Sequence, residues 1–315
     1  MRSAGRLKRN AEKLRQRIPS PNQSFKTVAI TAALAALGLL SRYAAVPYAS
    51  YAAQSGTFTP PAGNRCTDPK VIRLDPSNAQ SGVTDGRYYV TNDTWNASKY
   101  RGLSQSIYVC SYNNWYAIAR MNNDSGDGAV KTSPNVQETW YPSPTKLSNW
   151  QSISSHYSDV PPGVGTNYGI WEFEYDVWLN GLATNSSTEI MIWTYNNGQT
   201  PSGSPVGAFT DAGSTYEVYR SPPPRQYIAF VSTSQNLSGN VELSDFFDYA
   251  ISRDWMSASS TLYQICNGVE LVSTNGKPEK FAINNFSISM SRSPSRPGSP
   301  SPAGAIQKLR TAARP

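Results

Sequence analysis

The stretch at residues 186–198, SSTEIMIWTYNNG, places a glutamate directly before an apolar run. Successive side chains of a β-strand point to opposite faces, so Glu189, Met191 and Trp193 would share one face and the two isoleucines the other. The isoleucines suit the core between two sheets, whereas a carboxylate, a thioether and an indole suit the wall of a cleft. The stretch therefore predicts a strand with one face in the core and the other in a binding site.

Two further segments alternate in the same way. In residues 173–180, FEYDVWLN, Glu174 and Asp176 lie opposite the apolar residues, and in residues 268–272, GVELV, the glutamate Glu270 does so. Any one of these acids could be an ordinary surface residue of a strand. If the three strands lie in one sheet, however, their acids can converge, and hydrolysis of a glycosidic bond needs two carboxyl groups.

The other segments of residues 63–290 are mostly short β-rich runs, separated by turn clusters such as NNDSGDG and NNGQTPSGSP. One exception is LSDFFDYAISRDWM at residues 243–256, whose apolar side chains recur at helical spacing, with Ser244 as the N-cap. The sequence therefore predicts an all-β fold, a sandwich of two antiparallel sheets with one helix packed on it.

The chain has one histidine, His156, and three cysteines among 315 residues. A Ser-His-Asp or Cys-His mechanism would depend on His156, which lies in a polar Ser/Tyr stretch. No CxxC or HxxxH spacing indicates a zinc site, and no GxGxxG or Walker loop indicates a nucleotide, so we expect no metal and no cofactor. Eight tryptophans, nineteen tyrosines and many Asn, Ser and Thr side chains instead suit an uncharged ring such as a sugar.

The formal charge of +7 belongs to the two ends of the chain. Residues 1–26 carry eight Lys/Arg and one acid, and residues 291–315 carry five Lys/Arg and no acid. Residues 54–290 carry fourteen bases and twenty acids, a net charge of −6. A nucleic-acid partner is therefore not expected for the body of the chain.

Residues 1–53 have the pattern of an export signal, with a basic region, an apolar run at 27–40 and small residues before Ala52. The apolar run is shorter than the roughly 20 residues of a membrane span. We expect cleavage near Ala52 and an extracellular protein that does not bind membranes. An uncleaved signal anchor, which would tether the protein to a membrane, is the alternative. We interpret 54–62 as a linker and 291–315 as a disordered Pro/Ser/Arg-rich tail.

Residues 88–290 resemble glycoside hydrolase family 12, the compact endoglucanases and xyloglucanases with a concanavalin-like β-jelly-roll fold. The motif EIMIW at 189–193 is the most specific, because it matches the nucleophile strand of that family letter for letter. Shorter matches occur in the family's order: NDTW at 92–95, YDVW at 175–178 and GVEL at 268–271. The resemblance implies a jelly roll with a concave substrate cleft.

The resemblance also implies a role for each matched residue. Glu189 would be the nucleophile, Glu270 the general acid/base, and Asp176 a hydrogen-bond partner of Glu189. The side chains implied to line the cleft are Asn92, Trp95, Met191 and Trp193.

The sequence departs from the family pattern at three positions. Leu271 follows the acid/base glutamate where proline is frequent, and Cys266 occupies a position that is usually polar. Glu174 adds an acid to the cleft face. We expect Glu174 either to be solvated at the rim of the cleft or to contact substrate hydroxyls.

Cys66 and Cys110 precede the predicted catalytic strands of an exported domain, and we expect them to form a disulfide. The bridge would close a loop of about 45 residues and contribute roughly 3–4 kcal/mol. Cys266 would then be a buried free thiol. A bridge from either earlier cysteine to Cys266 is the alternative.

These observations predict a secreted, monomeric, retaining endo-β-1,4-glucanase whose partner is a β-glucan of the cellulose type. The alternatives are a xyloglucan-specific endoglucanase, another jelly-roll glycanase such as a xylanase, and a non-catalytic carbohydrate-binding jelly roll. A binding module would need neither Glu189 nor Glu270 to hold polysaccharide.

Overall fold

The computed structural model describes residues 66–163 and 169–293. Within them the chain forms sixteen β-strands and one α-helix. The elements are β1 (Lys70–Arg73), β2 (Gly82–Asp85), β3 (Tyr88–Thr91), β4 (Ser104–Ser111), β5 (Asn114–Arg120), β6 (Asn135–Thr139), β7 (Thr145–Lys146), β8 (Trp150–Val160), β9 (Ile170–Leu179), β10 (Thr188–Asn197), β11 (Ser204–Asp211), β12 (Ser214–Ser221), β13 (Gln226–Ser232), β14 (Ser238–Glu242), α1 (Leu243–Ser252), β15 (Thr261–Ser273) and β16 (Glu279–Arg292).

The strands form two sheets. The smaller sheet has six strands in the order β1-β4-β5-β16-β8-β14. The larger has ten, in the order β11-β12-β13-β10-β9-β15-β6-β3-β2, with β7 paired to β15. The three strands that carry the predicted acids, β10, β9 and β15, are therefore adjacent in one sheet. This confirms the predicted sandwich and explains how the acids can converge.

One strand pair departs from the predicted antiparallel pattern. Strands β10 and β13 are parallel, with Glu189 opposite Tyr227 and Trp193 opposite Val231. The reason lies in the connection between them. The chain leaves β10, forms the β11–β12 hairpin, and returns with β13 inserted between β12 and β10, so that β13 runs in the same direction as β10.

The predicted alternation of side chains is confirmed. Ile190 and Ile192 are fully buried in the core between the sheets. They lie there with the apolar face of β9 and with Val269 and Leu271 of β15. On the opposite face of the larger sheet, Met191 and Trp193 form a separate apolar cluster with Ala229. The two faces of β10 thus serve two different environments.

The helix α1 extends the core beyond the edge of the smaller sheet. Phe246 is fully buried and packs edge-to-face on Tyr216 and Phe230 of the larger sheet, with ring centroids 5.1 and 5.0 Å apart. The predicted N-cap is wrong: the capping position is Glu242, and it makes no capping hydrogen bond through its side chain. The Ser244 hydroxyl instead accepts a hydrogen bond from the Ile153 backbone N–H of β8 at 2.7 Å.

The cysteines are arranged as the first alternative predicts. Cys66 and Cys110 form a disulfide with a Cα–Cα distance of 5.5 Å. It ties the segment before β1 to β4, which is the neighbour of β1 in the smaller sheet. Cys266 is a buried free thiol on β15.

One predicted domain boundary can be compared with the elements. Strand β16 ends at Arg292, so the predicted end of the domain at residue 290 falls within this strand. The predicted export signal, linker and most of the basic tail lie outside the described residues. Within the described part, no helix has the length and apolar character needed to cross a membrane.

Candidate active site

A cavity of about 500 Å³ opens on the face of the larger sheet that points away from the core. Five of the residues predicted for the site contribute to its lining. Glu189, Glu270, Met191, Trp193 and Trp95 all line this cavity. The other lining residues are Asn96, Gly128, Ala129, Val130, Gln199, Thr200, Ser202, Ser221, Arg225 and Tyr227.

Glu189 and Glu270 lie on either side of β9. Glu189 is the Cα partner of Trp178, and Glu270 is the Cα partner of Glu172, so the two are offset along β9. Their half-buried carboxyl groups nevertheless line the same cavity. Burial and the negative charge of Glu270 raise the pKa of Glu189 to about 8, and the positive charge of Arg225 opposes this rise. The two carboxyls therefore interact electrostatically.

Glu270 has a second carboxyl group directly beside it. Glu172 is fully buried, and neither of its oxygens receives a hydrogen bond from an N–H or a hydroxyl. Burial, the charge of Glu270 and a hydrogen bond with Glu270 raise the pKa of Glu172 well above its usual value. Burial also raises the pKa of Glu270, and the hydrogen bond from Glu172 limits that rise. A carboxyl pair can form this bond only when one of the two is protonated.

Asp176 lies near Glu189 but bonds another residue. Its Oδ2 accepts a hydrogen bond from Trp178 Nε1 at 2.7 Å, and its Oδ1 has no partner. The expected hydrogen bond to Glu189 is therefore absent. Glu189 lies directly opposite Trp178 and diagonally from Asp176, and Asp176 bonds the Trp178 indole of its own strand. Burial and the nearby charge of Glu189 raise the pKa of Asp176 well above its usual value.

Glu174 does not lie at the rim of the cleft. Its side chain is fully buried and does not line the cavity, and both carboxyl oxygens lack a hydrogen-bond partner. It lies between Trp193 on one neighbouring strand and Gly268 on the other. Burial, followed by the charge of Glu270, raises the pKa of Glu174 well above its usual value. Neither of the two roles that we expected for it, solvated or in contact with substrate, fits this position.

The NDTW segment contributes Trp95 but not Asn92. Asn92 is fully buried behind the cavity, where its Oδ1 accepts a hydrogen bond from Gln105 Nε2 at 3.0 Å. Asp93 follows in a left-handed conformation, with φ of 25°, and turns the chain so that Trp95 projects with 53% of its surface exposed. Burial raises the pKa of Asp93 to about 7, and the charge of Glu270 adds to this rise.

The floor and walls of the cavity combine apolar and polar surface. Met191 and Trp193 form the floor, at 2% and 1% exposure, and Trp95 offers a free aromatic face at the edge. Tyr227 lies opposite Glu189 on β13. Such a surface can stack on the apolar faces of a sugar ring and bind its hydroxyls.

A second depression lies at the other end of β15. It is lined by Trp140, Trp150, Lys146 and Arg292 together with small polar residues, and none of its lining residues is an acid. It therefore lacks the paired carboxyls that the first cavity holds.

Several residues in or near the site were not predicted from the sequence. Glu172 carried a signal that could have found it, because it lies two residues before Glu174 on the same alternating face. Asp93, Arg225, Tyr227 and Gln199 carried none, because their positions depend on turns and on the order of β13 in the sheet.

Comparisons with known proteins agree with this geometry. The sequence pattern of Glycosyl hydrolase family 12 matches residues 86–291. A probable xyloglucan-specific endo-β-1,4-glucanase A of Aspergillus fumigatus is 28% identical over 220 residues, which cover 66% of this chain and 88% of the relative. The xyloglucan-specific endo-β-1,4-glucanase A of Emericella nidulans is 26% identical over 70% of this chain and 92% of its own length.

Solved structures support the same fold. The native family 12 xyloglucanase from Bacillus licheniformis superposes with a TM-score of 0.59 at 23% identity, covering 70% of this chain and all of that one. The endoglucanase cel12A from Rhodothermus marinus gives a TM-score of 0.59 at 23% identity, with 71% and 100% covered. The fold is thus the jelly roll that the resemblance implied. The family pattern spans most of the described residues, and the chain therefore belongs to glycosyl hydrolase family 12 and is a glycoside hydrolase.

Proposed function

We propose that this protein is a retaining endo-β-1,4-glucanase that cleaves internal bonds of a β-1,4-glucan by double displacement, with Glu189 as the nucleophile and Glu270 as the acid/base. One observation carries the proposal: two half-buried glutamates from strands on either side of β9 line one cavity and influence each other's ionisation. The aromatic floor and the exposed Trp95 ring supply the surface for sugar rings.

The electrostatics favour opposite protonation states in the two glutamates. Repulsion between two nearby carboxylates opposes double ionisation, so the pair tends to keep one proton. When Glu270 holds that proton, the repulsion on Glu189 disappears, and Arg225 favours the Glu189 carboxylate. An ionised nucleophile and a protonated acid are the states that the first displacement requires.

The reaction then proceeds in two steps. In the first, the Glu189 carboxylate attacks the anomeric carbon while Glu270 gives its proton to the departing glycosidic oxygen. In the second, Glu270 takes a proton from water, and that water displaces Glu189 from the sugar. Two inversions restore the β configuration.

Xyloglucan is the favoured substrate among the β-1,4-glucans. The relatives from Aspergillus fumigatus and Emericella nidulans are named for xyloglucan specificity. Part of the cavity is lined by small side chains, Gly128, Ala129, Ser202 and Ser221, which leave room beside the glucan backbone for branches. Release of reducing ends from xyloglucan, carboxymethylcellulose, mixed-linkage glucan and xylan distinguishes the candidates. Preferential cleavage of xylan would contradict the assignment to a glucan.

An extracellular site of action is part of the proposal. The Cys66–Cys110 disulfide favours an oxidising compartment. N-terminal sequencing of protein from culture medium should begin near residue 52. Recovery of the intact chain only from membranes would favour the signal anchor.

The roles of the two glutamates have a direct test. Proton NMR of a fresh digest should show the β-anomer first, because two inversions retain configuration. Glu189→Gln should abolish turnover and keep polysaccharide binding. Glu270→Ala should lose activity on polysaccharide but recover it on aryl glycosides, whose leaving group needs no proton, in the presence of a small anion such as azide. An initial α-anomer, or full activity of Glu189→Gln, would refute these roles.

A further inference from the structure

The cavity-facing side of the larger sheet holds more carboxyl groups than glycoside hydrolysis uses. Between Glu189 on β10 and Glu270 on β15 lie Glu172, Glu174 and Asp176, all on β9. Burying a carboxyl without a donor costs stability. An apolar residue at these positions would avoid that cost, so the presence of an acid calls for a reason.

Glu172 differs from the other two in its partner. It is the direct Cα partner of Glu270 across the antiparallel β9–β15 pair. Side chains at such positions have Cβ atoms roughly 4.5–5.5 Å apart, and two like charges there repel. Both oxygens of Glu172 lack a donor from the protein, and the carboxyl that Glu172 faces across the strand pair is that of Glu270. Asp176, in contrast, bonds Trp178.

We propose that Glu172 is a positioning residue for the acid/base: a protonated carboxyl that donates a hydrogen bond to Glu270 and stabilises the carboxylate that forms there. The proposal rests on the assignment of Glu270 as acid/base in the proposed function. Glu172 itself touches neither the sugar nor the attacking water, since it is fully buried and does not line the cavity.

Only Glu270 exchanges a proton with the substrate and water in the two steps. In the first step Glu270 transfers its proton to the glycosidic oxygen as the C–O bond breaks, and Glu172 keeps its own proton. The hydrogen bond from Glu172 then meets a negative charge, and such bonds are about twice as strong as those between neutral groups. In the second step water returns a proton to Glu270. Glu172 thereby makes Glu270 readier to give up its proton.

The charged and titratable groups around the pair are consistent with a protonated Glu172. Glu174 lies two residues away on β9, and Tyr227 reaches the pair from β13. The charge of Glu270 also acts on Glu189, on β10, and on Asp93, in the turn after β3. These four neighbours are three acids and a phenol, and none of them carries a positive charge. The cation of the cavity, Arg225, acts on Glu189. An ionised Glu172 would have no compensating cation.

Two substitutions separate the hydrogen bond from mere packing. Glu172→Gln keeps a donor toward Glu270, so the alkaline limb of the kcat/KM profile should stay close to that of the unmodified enzyme. Glu172→Met has a similar length but no donor, so the pKa of Glu270 should rise and move that limb upward by about one to two units. Turnover by Glu172→Met should fall more on unactivated cello-oligosaccharides than on aryl cellobiosides, because only the former need a strong acid.

A buried carboxyl elsewhere provides the matched control. Asp159 on β8 is buried in the core with both oxygens unpartnered, and Asp159→Asn should leave the alkaline limb in place. Identical pH profiles for Glu172→Gln, Glu172→Met and the unmodified enzyme would overturn the proposal. If Glu270→Ala shows no rescue by aryl substrates and azide, the acid/base assignment fails instead, and the two failures are distinguishable.

Infrared spectroscopy keeps the test independent of whether Glu172→Met folds. Above the alkaline limb, the unmodified enzyme should retain a carbonyl band of a protonated carboxylic acid that Glu172→Gln lacks. Absence of any difference between the two spectra in this band would show that Glu172 is ionised and would refute the proposal.

Discussion

At the scale of single residues, Arg225 brings a positive charge to a cavity that otherwise holds acids and neutral groups. Its side chain is exposed, and its charge lowers the pKa of Glu189. In the proposed mechanism Glu189 must be ionised to attack, so activity should fall as the pH drops through the pKa of Glu189. Arg225→Gln removes the cation, raises this pKa, and should move the acidic limb of kcat/KM to higher pH.

The shift from Arg225→Gln should be a few tenths of a pH unit, because exposed ion pairs contribute only about 0.2–1 kcal/mol. Arg225→Lys keeps the charge and is the matched control. High salt should reduce the difference between the two variants. An acidic limb that is the same in both variants at low salt would show that Arg225 does not act on the nucleophile electrostatically.

The sequence predicted individual site residues wherever strand alternation decides their direction. The strand alternation correctly predicted that the cavity would be lined by Glu189, Met191 and Trp193. It also correctly placed the two isoleucines between them in the core. Alternation gives the face of a sheet but not the depth of burial on that face. For this reason Glu174 was expected at a rim and instead is fully buried, and Asn92, which was expected to line the cleft, is also fully buried.

At the scale of elements, α1 contributes to the hydrophobic core as well as connecting β14 to β15. Its Phe246 fills the space between aromatic rings of β11, β12 and β13, including Phe209 at 5.1 Å. Phe246→Ala should lower the free energy of unfolding by about 3–5 kcal/mol, because it leaves a cavity in the core. Denaturant unfolding measures this loss. Asp248→Ala, on the exposed face of the same helix, should change stability by less than about 0.5 kcal/mol. Equal effects of the two would mean that the helix does not anchor this end of the core.

Strands without a clear alternation of apolar and polar residues were not predicted from the sequence. Strand β8 has serines on both faces, yet its Ser155 is buried and accepts a hydrogen bond from the Tyr175 hydroxyl at 2.9 Å. The core tolerates this serine because another strand satisfies it. Such pairing depends on tertiary contacts and leaves no hydrophobic period in the sequence. The parallel β10–β13 pair was missed for a similar reason, since strand order is not encoded in local alternation.

At the scale of the whole molecule, the buried acids set the pH dependence of stability. A carboxyl whose pKa is raised on folding binds its proton more tightly in the folded state, so stability falls as the pH rises between its unfolded and folded pKa values. The pKa of Asp93 rises from 3.8 to about 7, and that of Glu189 from 4.5 to about 8. Burial also raises the pKa of Glu172, Glu174 and Asp176.

The protein should therefore be most stable at acidic pH and lose stability steadily between about pH 4 and pH 8. Urea unfolding across this range measures the slope. Glu174→Gln removes one titrating group and should flatten the slope by up to about 1.4 kcal/mol per pH unit. Maximum stability at or above neutral pH would contradict the prediction, and would mean that these carboxyls are ionised in the folded protein.

The order of strands in the smaller sheet has a consequence for how the polypeptide reaches its final form. Strand β16 lies inside that sheet, between β5 and β8, although it is the last strand of the described residues. Before residues 279–292 are synthesised, no strand links β5 to β8, and the smaller sheet stays in two separate parts. Pairings between such distant segments form slowly. A chain that is still being synthesised therefore cannot complete this sheet, and the sandwich can close only after residues 279–292 have left the ribosome.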